Sequence, residues 1–423
     1  MKNWRLKLSL VLNYIVFAML LNSVGTVILQ VQNNFGVTKG AASVLEAFKD
    51  LPIAITSFLI ASFVVRIGYK HTMLMGLGLV TLTCLIMPNV PFFWMTKLLF
   101  LSIGVGFAFI KVSVFATLGL VAENEKEHVS FMSFLESFFM VGVLGGYFLF
   151  SAFIDPDNPA STSWMKVYYI LACGAFFAFL LLLTTKVDES AVHREAPQSM
   201  AQDFQKMLTL IIKPLVIVFI ISIFFYVLVE QSIMSWLPTF NNQILHLPSR
   251  LSIEMASILA GSTAVGRLLA GFVLKKVKWY WVLGISLVAA AIMVLVGLPL
   301  ALGSDASGAT GWFDAPIAVF IFPLIGLFLA PIYPTLNSVM LSRLPLVQHG
   351  PMSGLIVVFS ALGGTTGSII TGNVFQHFGG NYAFYLALIP ITLIMIAIFF
   401  FKRMADTQPV LESAPVATDR MVD

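Results

Sequence analysis

Twelve long apolar stretches, separated by short polar connectors, follow one another along almost the whole of this sequence. A helix rises 1.5 Å per residue, so about 20 apolar residues cross the ~30 Å hydrocarbon core of a bilayer. The strands of a membrane barrel would be shorter and would alternate apolar with polar residues, which these stretches do not. The sequence therefore predicts an all-α membrane protein with twelve transmembrane helices. In chain order, the predicted helices cover residues 8–32, 42–65, 71–91, 93–121, 130–153, 164–186, 210–238, 250–275, 279–302, 315–342, 350–376 and 380–402.

The composition excludes a water-soluble fold for a chain of this length. Of the 423 residues, 59% are hydrophobic and only 10% are charged, whereas soluble domains carry about 25% charged residues. The formal net charge of +4 comes from basic connectors between the apolar stretches, so it does not indicate nucleic-acid binding. Cys84 and Cys173 both lie in apolar stretches, which is not the pattern of a disulfide framework.

The distribution of Lys and Arg predicts the orientation in the membrane. If the N-terminus is cytoplasmic, 17 of the 24 basic residues lie on the cytoplasmic side, four lie outside and three lie within helices. Cytoplasmic loops carry an excess of basic residues. We therefore expect a multi-pass protein of the bacterial inner membrane with both termini in the cytoplasm.

The longest polar connector, TKVDESAVHREAPQSMAQDFQK (185–206), separates predicted helices 6 and 7 and divides the chain into two six-helix halves. The last twenty residues are mostly polar, and this composition predicts a disordered tail. We expect four regions in chain order: an N-terminal half over residues 1–186, a cytoplasmic linker over 187–209, a C-terminal half over 210–403 and a cytoplasmic tail over 404–423.

Each half carries a short basic turn after its second helix. The turns are ASFVVRIGYKHTM after predicted helix 2 and GFVLKKVKWYWVL after predicted helix 8. Internal duplication of six helices is typical of secondary transporters. The two turns resemble the loop motif of the major facilitator superfamily, although Val65 and Lys275 stand where that motif usually has an acidic residue. The resemblance implies two halves that rock about a site at the bilayer midplane.

Four segments of the C-terminal half are similar to the fucose–galactose–glucose:proton symporters of that superfamily. The resemblance implies a sugar as substrate and protons as the coupling ion. It rests on YVLVEQSIMSWL (226–237), APIYPTLNSVML (330–341), GPMSGLIVVFSALGG (350–364) and GRLLAG (266–271).

The N-terminal half departs from the pattern of these symporters. Gly25 stands where the family has the aspartate of helix 1, and Phe109 stands where it has the glutamate of helix 4. The carboxylates that the family is known to use are therefore absent. Other residues must couple transport here, or the substrate differs.

Glu230 is the strongest candidate site residue, because a charge at the centre of a bilayer costs at least ~2.5–3.5 kcal/mol. It lies about sixteen residues into predicted helix 7, and the resemblance gives it a role in binding protons or sugar hydroxyls. The alternative is an interfacial glutamate near the headgroups. Its neighbour Gln231, also a candidate for the site, points about 100° away around the helix, and the alternative for it is a structural role. Tyr226 and Trp236 could stack on a sugar ring, and the alternative for Trp236 is a membrane-interface anchor.

Predicted helix 2 carries three charged residues at helical spacing. Lys49 and Asp50 follow Glu46 by three and four positions, so the three residues lie on one side of the helix. Lys49 could extend its ammonium to the membrane surface. Asp50 has a side chain too short to do so, and we count Glu46 and Asp50 among the candidate proton-coupling or substrate-binding residues.

Lys111 lies about eleven residues from the nearest loop, too deep to reach the surface easily. It should pair with Glu136 or Asp50, or else bind an anionic substrate as its counter-ion. Arg267 is nearer the cytoplasm and is expected to extend toward it or to hold a loop. Asn22 and Asn337 are neutral polar candidates for the cavity, or else contacts between helices.

The sequence contains no recognisable enzyme motif. All six histidines fall in loops or at helix ends, and no phosphate-binding Gly-rich loop with its lysine is present. We therefore predict no catalytic residues, cofactor or metal, and a monomer in the lipid bilayer. The leading hypothesis is proton-coupled transport of a small hydrophilic solute, most simply a sugar. The alternatives are an organic-anion transporter that uses Lys111, a drug-efflux protein, and a membrane sensor that has lost transport.

Overall fold

The computed structural model describes residues 4–121, 125–185, 208–304, 308–344 and 348–407, together with Val187, Gln205 and Ala306. Every regular element in these residues is helical, and the helices form twelve spans that we number α1–α12 in chain order. The spans of the first half are α1 (Trp4–Asn22 and Val24–Phe35), α2 (Lys39–Ile67), α3 (Tyr69–Ile86), α4 (Phe93–Val121), α5 (Glu125–Ser151) and α6 (Val167–Thr184).

The second half repeats this arrangement with more interruptions within the spans. Its spans are α7 (Pro214–Gln243), α8 (Ser249–Val273), α9 (Trp279–Ile292, a π turn at Met293–Gly297 and Leu298–Leu302), α10 (Ile317–Ile321, a 3₁₀ turn at Phe322–Leu324, Ile325–Leu329 and Ile332–Leu341), α11 (His349–Phe378) and α12 (Gly380–Tyr385 and Leu388–Asp406).

Ten of these spans are long and apolar enough to cross a membrane. The other two, α2 and α5, have 29 and 27 residues and carry charged side chains within the span. The prediction of an all-α protein with twelve membrane helices is confirmed. Large apolar side chains cover the outer surface: the side chains of Leu268, Phe272 and Ile285 are each about two-thirds exposed. Such a surface requires lipid around it.

Several of the predicted helices are interrupted in the structure, and for two of them the residues at the break show the cause. Predicted helix 1 is interrupted at Ser23, where the Asn22 amide donates to the Ala18 carbonyl at 2.9 Å and the Ser23 hydroxyl to the Leu20 carbonyl at 2.7 Å. Side chains that bond back to helix carbonyls bend helices. Predicted helix 10 is divided into shorter segments at Pro323 and Pro331, because proline has no N–H and its ring crowds the preceding turn.

Each half is a bundle of six spans, and the halves meet along three pairs of helices. Within the first half, α1 packs against α5 and α6, α2 against α4, and α3 against α4 and α6. Within the second half, α7 packs against α12, and α10 packs against α8 and α9. The halves contact each other through α2 with α11, α5 with α8, and the second segment of α1 with α7. These six helices therefore supply most of the contact between the halves.

Because the spans alternate in direction, both ends of the described chain lie on one face of the bundle, which we call the terminal face. The opposite face is called the distal face. On the terminal face, Lys70 of the first basic turn donates to the carbonyls of Leu183 and Thr185 at 2.9 and 2.7 Å. A lysine that binds the last carbonyls of a helix stabilises its C-terminus. This turn therefore ties the start of α3 to the end of α6.

Glycines bring α7 and α11 into backbone contact. A Cβ atom at Gly363 would lie 2.3 Å from the Phe224 carbonyl oxygen, and one at Gly367 would lie 2.4 Å from that of Leu228. No side chain fits at such distances, so the two glycines permit an approach that other residues would prevent. The α7–α11 contact is therefore fixed by backbone shape.

Candidate functional site

A polar cavity of about 130 Å³ lies between the two halves near the middle of the bundle. Its polar walls come from Glu230 and Gln231 of α7, Thr263 and Arg267 of α8, and Asn22 at the break in α1. Phe139, Met140 and Val143 of α5 supply an apolar wall. Convergent polar groups on otherwise apolar walls are typical of a small-molecule site.

Glu230 is the acidic residue of this cavity. Its Oε1 accepts a hydrogen bond of 2.8 Å from the hydroxyl of Tyr226 and lies 3.9 Å from Nη2 of Arg267. The side chains of Glu230 and Arg267 are 26% and 41% exposed. The structure thus places Glu230 in the wall of the cavity, partly exposed, with one hydrogen-bond donor and one cation beside it.

Arg267 is the residue that the sequence reasoning missed. The sequence predicts that it extends toward the cytoplasm or holds a loop, but its guanidinium faces the cavity, where it pairs with Glu230 and also lies 3.8 Å from Sδ of Met140. The available signal was its place within the apolar stretch of predicted helix 8, where a charged side chain needs a partner.

Tyr226 lies behind Glu230 and is fully buried. Its ring centre lies 5.7 Å from that of Tyr333 on α10, and the Tyr333 hydroxyl lies 3.3 Å from Oγ of Ser360 on α11. Asn337 follows Tyr333 by one helical turn and is half-buried. In this conformation Tyr226 therefore positions the carboxylate of Glu230, and it has no ring face open for a sugar.

Trp236 is also fully buried, at the contact between α7 and α11. Its indole N–H donates to the Ser368 carbonyl and approaches the Ser368 hydroxyl, both at 3.1 Å, and its ring centre lies 5.7 Å from that of Phe375. A Cβ at Gly372 would lie 2.5 Å from this ring. The structure places Trp236 away from both the cavity and the lipid, where it joins the two helices.

The three charged residues of α2 form a buried cluster, which we call the α2 triad: Glu46, Lys49 and Asp50. The Lys49 ammonium is bonded to Oε1 of Glu46 and lies 3.5 Å from Oδ1 of Asp50. The side chain of Lys49 is 6% exposed and that of Glu46 is fully buried. Lys49 therefore pairs inside the protein and does not extend to the membrane surface.

The α2 triad reaches across to the other half of the protein. Oε2 of Glu46 accepts a hydrogen bond of 2.8 Å from the hydroxyl of Ser235 on α7. Asp50 faces α11: a Cβ at Gly364 would lie 2.6 Å from Oδ2 of Asp50 and 3.2 Å from Cγ of Gln231. The triad thus adjoins the cavity behind Gln231 and lies at the contact between the halves.

The same contact explains why residue 25 is glycine. A Cβ at Gly25 would lie 2.9 Å from the Ser235 carbonyl oxygen and 3.0 Å from that of Met234. The second segment of α1 therefore touches the backbone of α7, and no carboxylate-bearing side chain fits there. The buried acids beside this contact lie instead on α2.

On the distal side of the cavity the halves are closed. The Gln243 amide of α7 donates to Oε1 of Gln32 on α1 at 3.3 Å, and the Gly40 N–H of α2 donates to Oε1 of Gln376 on α11 at 2.9 Å. These hydrogen bonds join the first half to the second half. They separate the cavity from the distal face.

Lys111 and Glu136 lie on α4 and α5, each well inside its span. Lys111 of α4 is half-buried, and its ammonium lies 5.8 Å from the centre of the Phe107 ring. Glu136 belongs to α5, but its side chain is outside the part of the chain that the structure describes. The pairing of Lys111 with Glu136 therefore stays a prediction, whereas the ion pair of Asp50 is with Lys49.

Comparison with known proteins identifies a family match over most of the chain. The family described as Major Facilitator Superfamily matches residues 10–364. A protein named Protein TsgA homolog from Buchnera aphidicola is 21% identical over 350 residues, which are 75% of this chain and 83% of that protein. The MFS transporter asaE of Aspergillus flavus is 28% identical over 211 residues, which are 49% of this chain and only 44% of that transporter.

Solved structures share the fold at low sequence identity. The nucleoside transporter NupG is similar with a TM-score of 0.72 and 15% identity, covering 94% of this chain and 99% of NupG. The D-xylose-proton symporter has a TM-score of 0.70 and 12% identity, and the match covers 95% of this chain and 97% of the symporter. The Escherichia coli fucose:proton symporter has a TM-score of 0.62 and 15% identity, and the match covers 95% of this chain and 99% of the symporter.

Proposed function

This chain belongs to the major facilitator superfamily, and we propose that it carries a small uncharged solute rich in hydroxyl groups, most simply a sugar, across the membrane together with protons. It is a transporter and not an enzyme. The two halves would rock about the cavity, so that it opens to one side of the membrane at a time. The closed contacts on the distal side correspond to one state of such a cycle.

The charge balance of the cavity is the observation that carries this proposal. Glu230 and Arg267 contribute one negative and one positive charge to the same wall, so their charges cancel. Gln231, Thr263 and Asn22 add neutral donors and acceptors. A site that presents both strong donors and strong acceptors, with no excess charge, suits hydroxyl groups, which donate and accept at once.

Each polar residue has a definite role in the proposal. Glu230 accepts hydrogen bonds from solute hydroxyls while Tyr226 holds its carboxylate, and Arg267 donates to solute oxygens. Gln231 and Asn22 complete the polar contacts from α7 and α1. A site built to hydrogen-bond a hydroxyl discriminates strongly against analogues that lack it, because its own polar groups are then left without partners.

The named relatives agree with this class of solute without identifying it. Two of the similar structures are sugar:proton symporters by name and one is a nucleoside transporter. At 12–15% identity they share a fold with this chain. The choice of a sugar therefore rests on the cavity and on the symporter-like segments of the C-terminal half.

An organic anion is the second candidate, and the position of Arg267 favours it. A solute carboxylate could take the place of Glu230 beside the guanidinium, which binds carboxylates in a bidentate manner. Lys111 of α4 does not line the cavity in this conformation, so Arg267 is the cation that carries this alternative. In that case the affinity of the protein should be confined to charged solutes.

Uptake into vesicles that contain the purified protein tests the proposal. Labelled hexoses, pentoses, nucleosides and monocarboxylates are offered with an inward proton gradient, with and without a protonophore. We expect accumulation of a neutral hydroxylated solute that the protonophore abolishes, and Glu230→Gln serves as the paired control. Accumulation of carboxylates alone would show that the substrate is an organic anion and not a sugar. Uptake that does not depend on the proton gradient would show that transport is not coupled to protons.

A further inference from the structure

The α2 triad is an unbalanced group of charges in a buried place. Glu46 and Asp50 supply two carboxylates and Lys49 supplies one ammonium, so the fully ionised triad carries a net charge of −1. The side chain of Asp50 is 12% exposed and those of its two partners are exposed even less. Burying an uncompensated charge is costly, and one bound proton would remove it.

Of the two carboxylates, Asp50 is the one free to take that proton. Glu46 uses both oxygens, one for the Lys49 ammonium and one for the Ser235 hydroxyl. Asp50 contributes one oxygen to the ammonium at 3.5 Å, longer than the ~2.7–2.9 Å of a direct charge-assisted hydrogen bond. Asp50 is also the most accessible member of the triad and faces the cavity side at Gln231.

The position of the triad links its charge to the contact between the halves. The Ser235 side chain donates to Glu46, and the Ser235 backbone lies against Gly25 of α1. Gly364 of α11 covers Asp50. The triad is therefore enclosed by both halves when the distal side is closed, and separating the halves would expose it to water.

Few other ionisable groups face the triad from the helices packed against it. On α7 the nearest is Glu230, which is matched by Arg267. On α4 they are Lys97, whose ammonium lies over the rings of Phe48 and Phe93, and Lys111. In the described part of the second segment of α1 there is none. On α3 they are Lys70 and His71 at the start of the helix, and on α11 the histidines lie at the two ends of the helix.

We propose that the α2 triad is the proton-binding site of this transporter, separate from the solute-binding residues Glu230 and Arg267, and that Asp50 takes the proton as the distal side closes. The proposal rests on the proposed function and adds where the coupling ion binds. The step is an acid–base reaction: hydronium gives a proton to a carboxylate oxygen of Asp50, leaving water and a neutral carboxylic acid. No other bond changes.

The direction of coupling follows from the charge. The closed form buries the triad and so binds the proton more tightly than the open form, in which water solvates the charge. By linkage, a bound proton must favour the closed form to the same extent. With the predicted topology the distal face is outside, so the proton enters from outside and leaves toward the cytoplasm.

Distances across the distal face test this coupling without any knowledge of the solute. Spin labels at Asp157→Cys and Asn381→Cys report on the first and second halves, in a background of Cys84→Ala and Cys173→Ala. Both labelled positions are exposed on the distal face. In the otherwise native protein, we expect the short-distance population to grow as the pH falls.

Two variants separate the proton site from a structural role. Asp50→Asn leaves Glu46 with Lys49, and Glu46→Gln leaves Asp50 with Lys49, so each triad is neutral without a proton. Both variants should therefore hold the short distance at every pH tested. Asp406→Asn, which neutralises an exposed carboxylate on the terminal face, should keep the native pH response. A native pH response in Asp50→Asn and Glu46→Gln would overturn the proposal.

Transport measurements separate this proposal from the proposed function. In vesicles, Asp50→Asn should retain solute exchange down a gradient but lose accumulation driven by protons. If the native protein exchanges no neutral solute, the proposed function fails. The distance measurement still tests whether the triad binds the proton. If exchange occurs and Asp50→Asn still accumulates solute with protons, the triad alone is excluded.

Discussion

Nη2 of Arg267 on α8 lies 3.9 Å from Oε1 of Glu230 on α7, so the two charges of the cavity face each other across its wall. A direct charge-assisted hydrogen bond would be ~2.7–2.9 Å long. Both groups therefore keep hydrogen-bonding capacity that a solute between them can use. This relationship determines how the cavity should respond to substitution.

The first prediction concerns the acceptor. Glu230→Gln should weaken solute binding roughly 10- to 100-fold, because hydrogen bonds to charged groups contribute about 1.5–3 kcal/mol. Isothermal titration of the purified variant with the solute found in the uptake screen measures the change. Tyr226→Phe, which removes the donor to Glu230, should show a smaller loss. Undiminished binding and accumulation in Glu230→Gln would remove this residue from the mechanism.

The second prediction distinguishes a neutral solute from an anion. Arg267→Ala leaves Glu230 without its cation and should lower both the expression level and solute affinity. The double variant Arg267→Ala, Glu230→Gln restores the charge balance, so it should recover expression and part of the affinity for a sugar. If the substrate is an anion, adding Glu230→Gln should not recover the affinity lost in Arg267→Ala. Binding assays on the single and double variants give the comparison.

The third prediction concerns the contact of α1 with α7. Gly25→Ala places a Cβ 2.9 Å from the Ser235 carbonyl, and overpacking of this kind costs roughly 1–3 kcal/mol. We expect a lower midpoint of thermal unfolding in detergent and fewer molecules closed on the distal side.

The matched control for this prediction is Gly271→Ala on α8. Apart from the neighbouring residues and backbone of α8 itself, no heavy atom lies within 4 Å of a Cβ at that position. Alanine is favoured over glycine within a helix by about 1 kcal/mol, so the same chemical change should leave the midpoint unchanged or raise it. Equal effects of the two substitutions would contradict the close contact at Gly25.

The fourth prediction concerns Lys111. If it pairs internally, Lys111→Ala should reduce expression and the double variant with Glu136→Ala should restore it, since a stranded buried charge is removed. The double with Asp50→Ala should not restore it, because Asp50 pairs with Lys49. Binding of a carboxylate solute that disappears in Lys111→Ala, and stays absent in both doubles, would favour the anion transporter.

The fifth prediction concerns orientation. We expect both termini in the cytoplasm, because cytoplasmic loops collect basic residues. A reporter enzyme that is active only outside the cytoplasm should stay inactive when it is fused after Asp423, and a cytoplasmic reporter fused there should be active. The reverse pattern would invert the direction assigned to the proton.

Hydropathy was enough to predict the twelve spans, because lipid requires each crossing to satisfy its backbone internally. It did not predict the interruptions of α10. Averaged hydropathy does not register single prolines, although Pro323 and Pro331 were visible in the sequence as breakers. The break at Ser23 depends on two side-chain bonds to carbonyls, which local composition does not determine.

The site was predictable where a single residue conflicts with its surroundings. Glu230 is an acid in an apolar helix, and the spacing of the α2 triad placed its members on one side of α2. Neither observation identifies a partner on another helix. The contact of Glu46 with Ser235 depends on how the halves dock, and that of Glu230 with Arg267 depends on how α7 packs against α8. Distance along the chain from the nearest loop does not show which way the Arg267 side chain turns.

The close contact of α7 with α11 has a consequence for measuring motion. The carbonyls of Phe224 and Leu228 occupy the space that side chains at Gly363 and Gly367 would need, and the Trp236 indole binds Ser368 on the same pair. Sliding one helix along the other would bring a larger residue against those carbonyls. A distance between one probe on α7 and one on α11 should therefore stay constant through the cycle. The pair provides an internal ruler against which the displacement of every other helix can be calibrated.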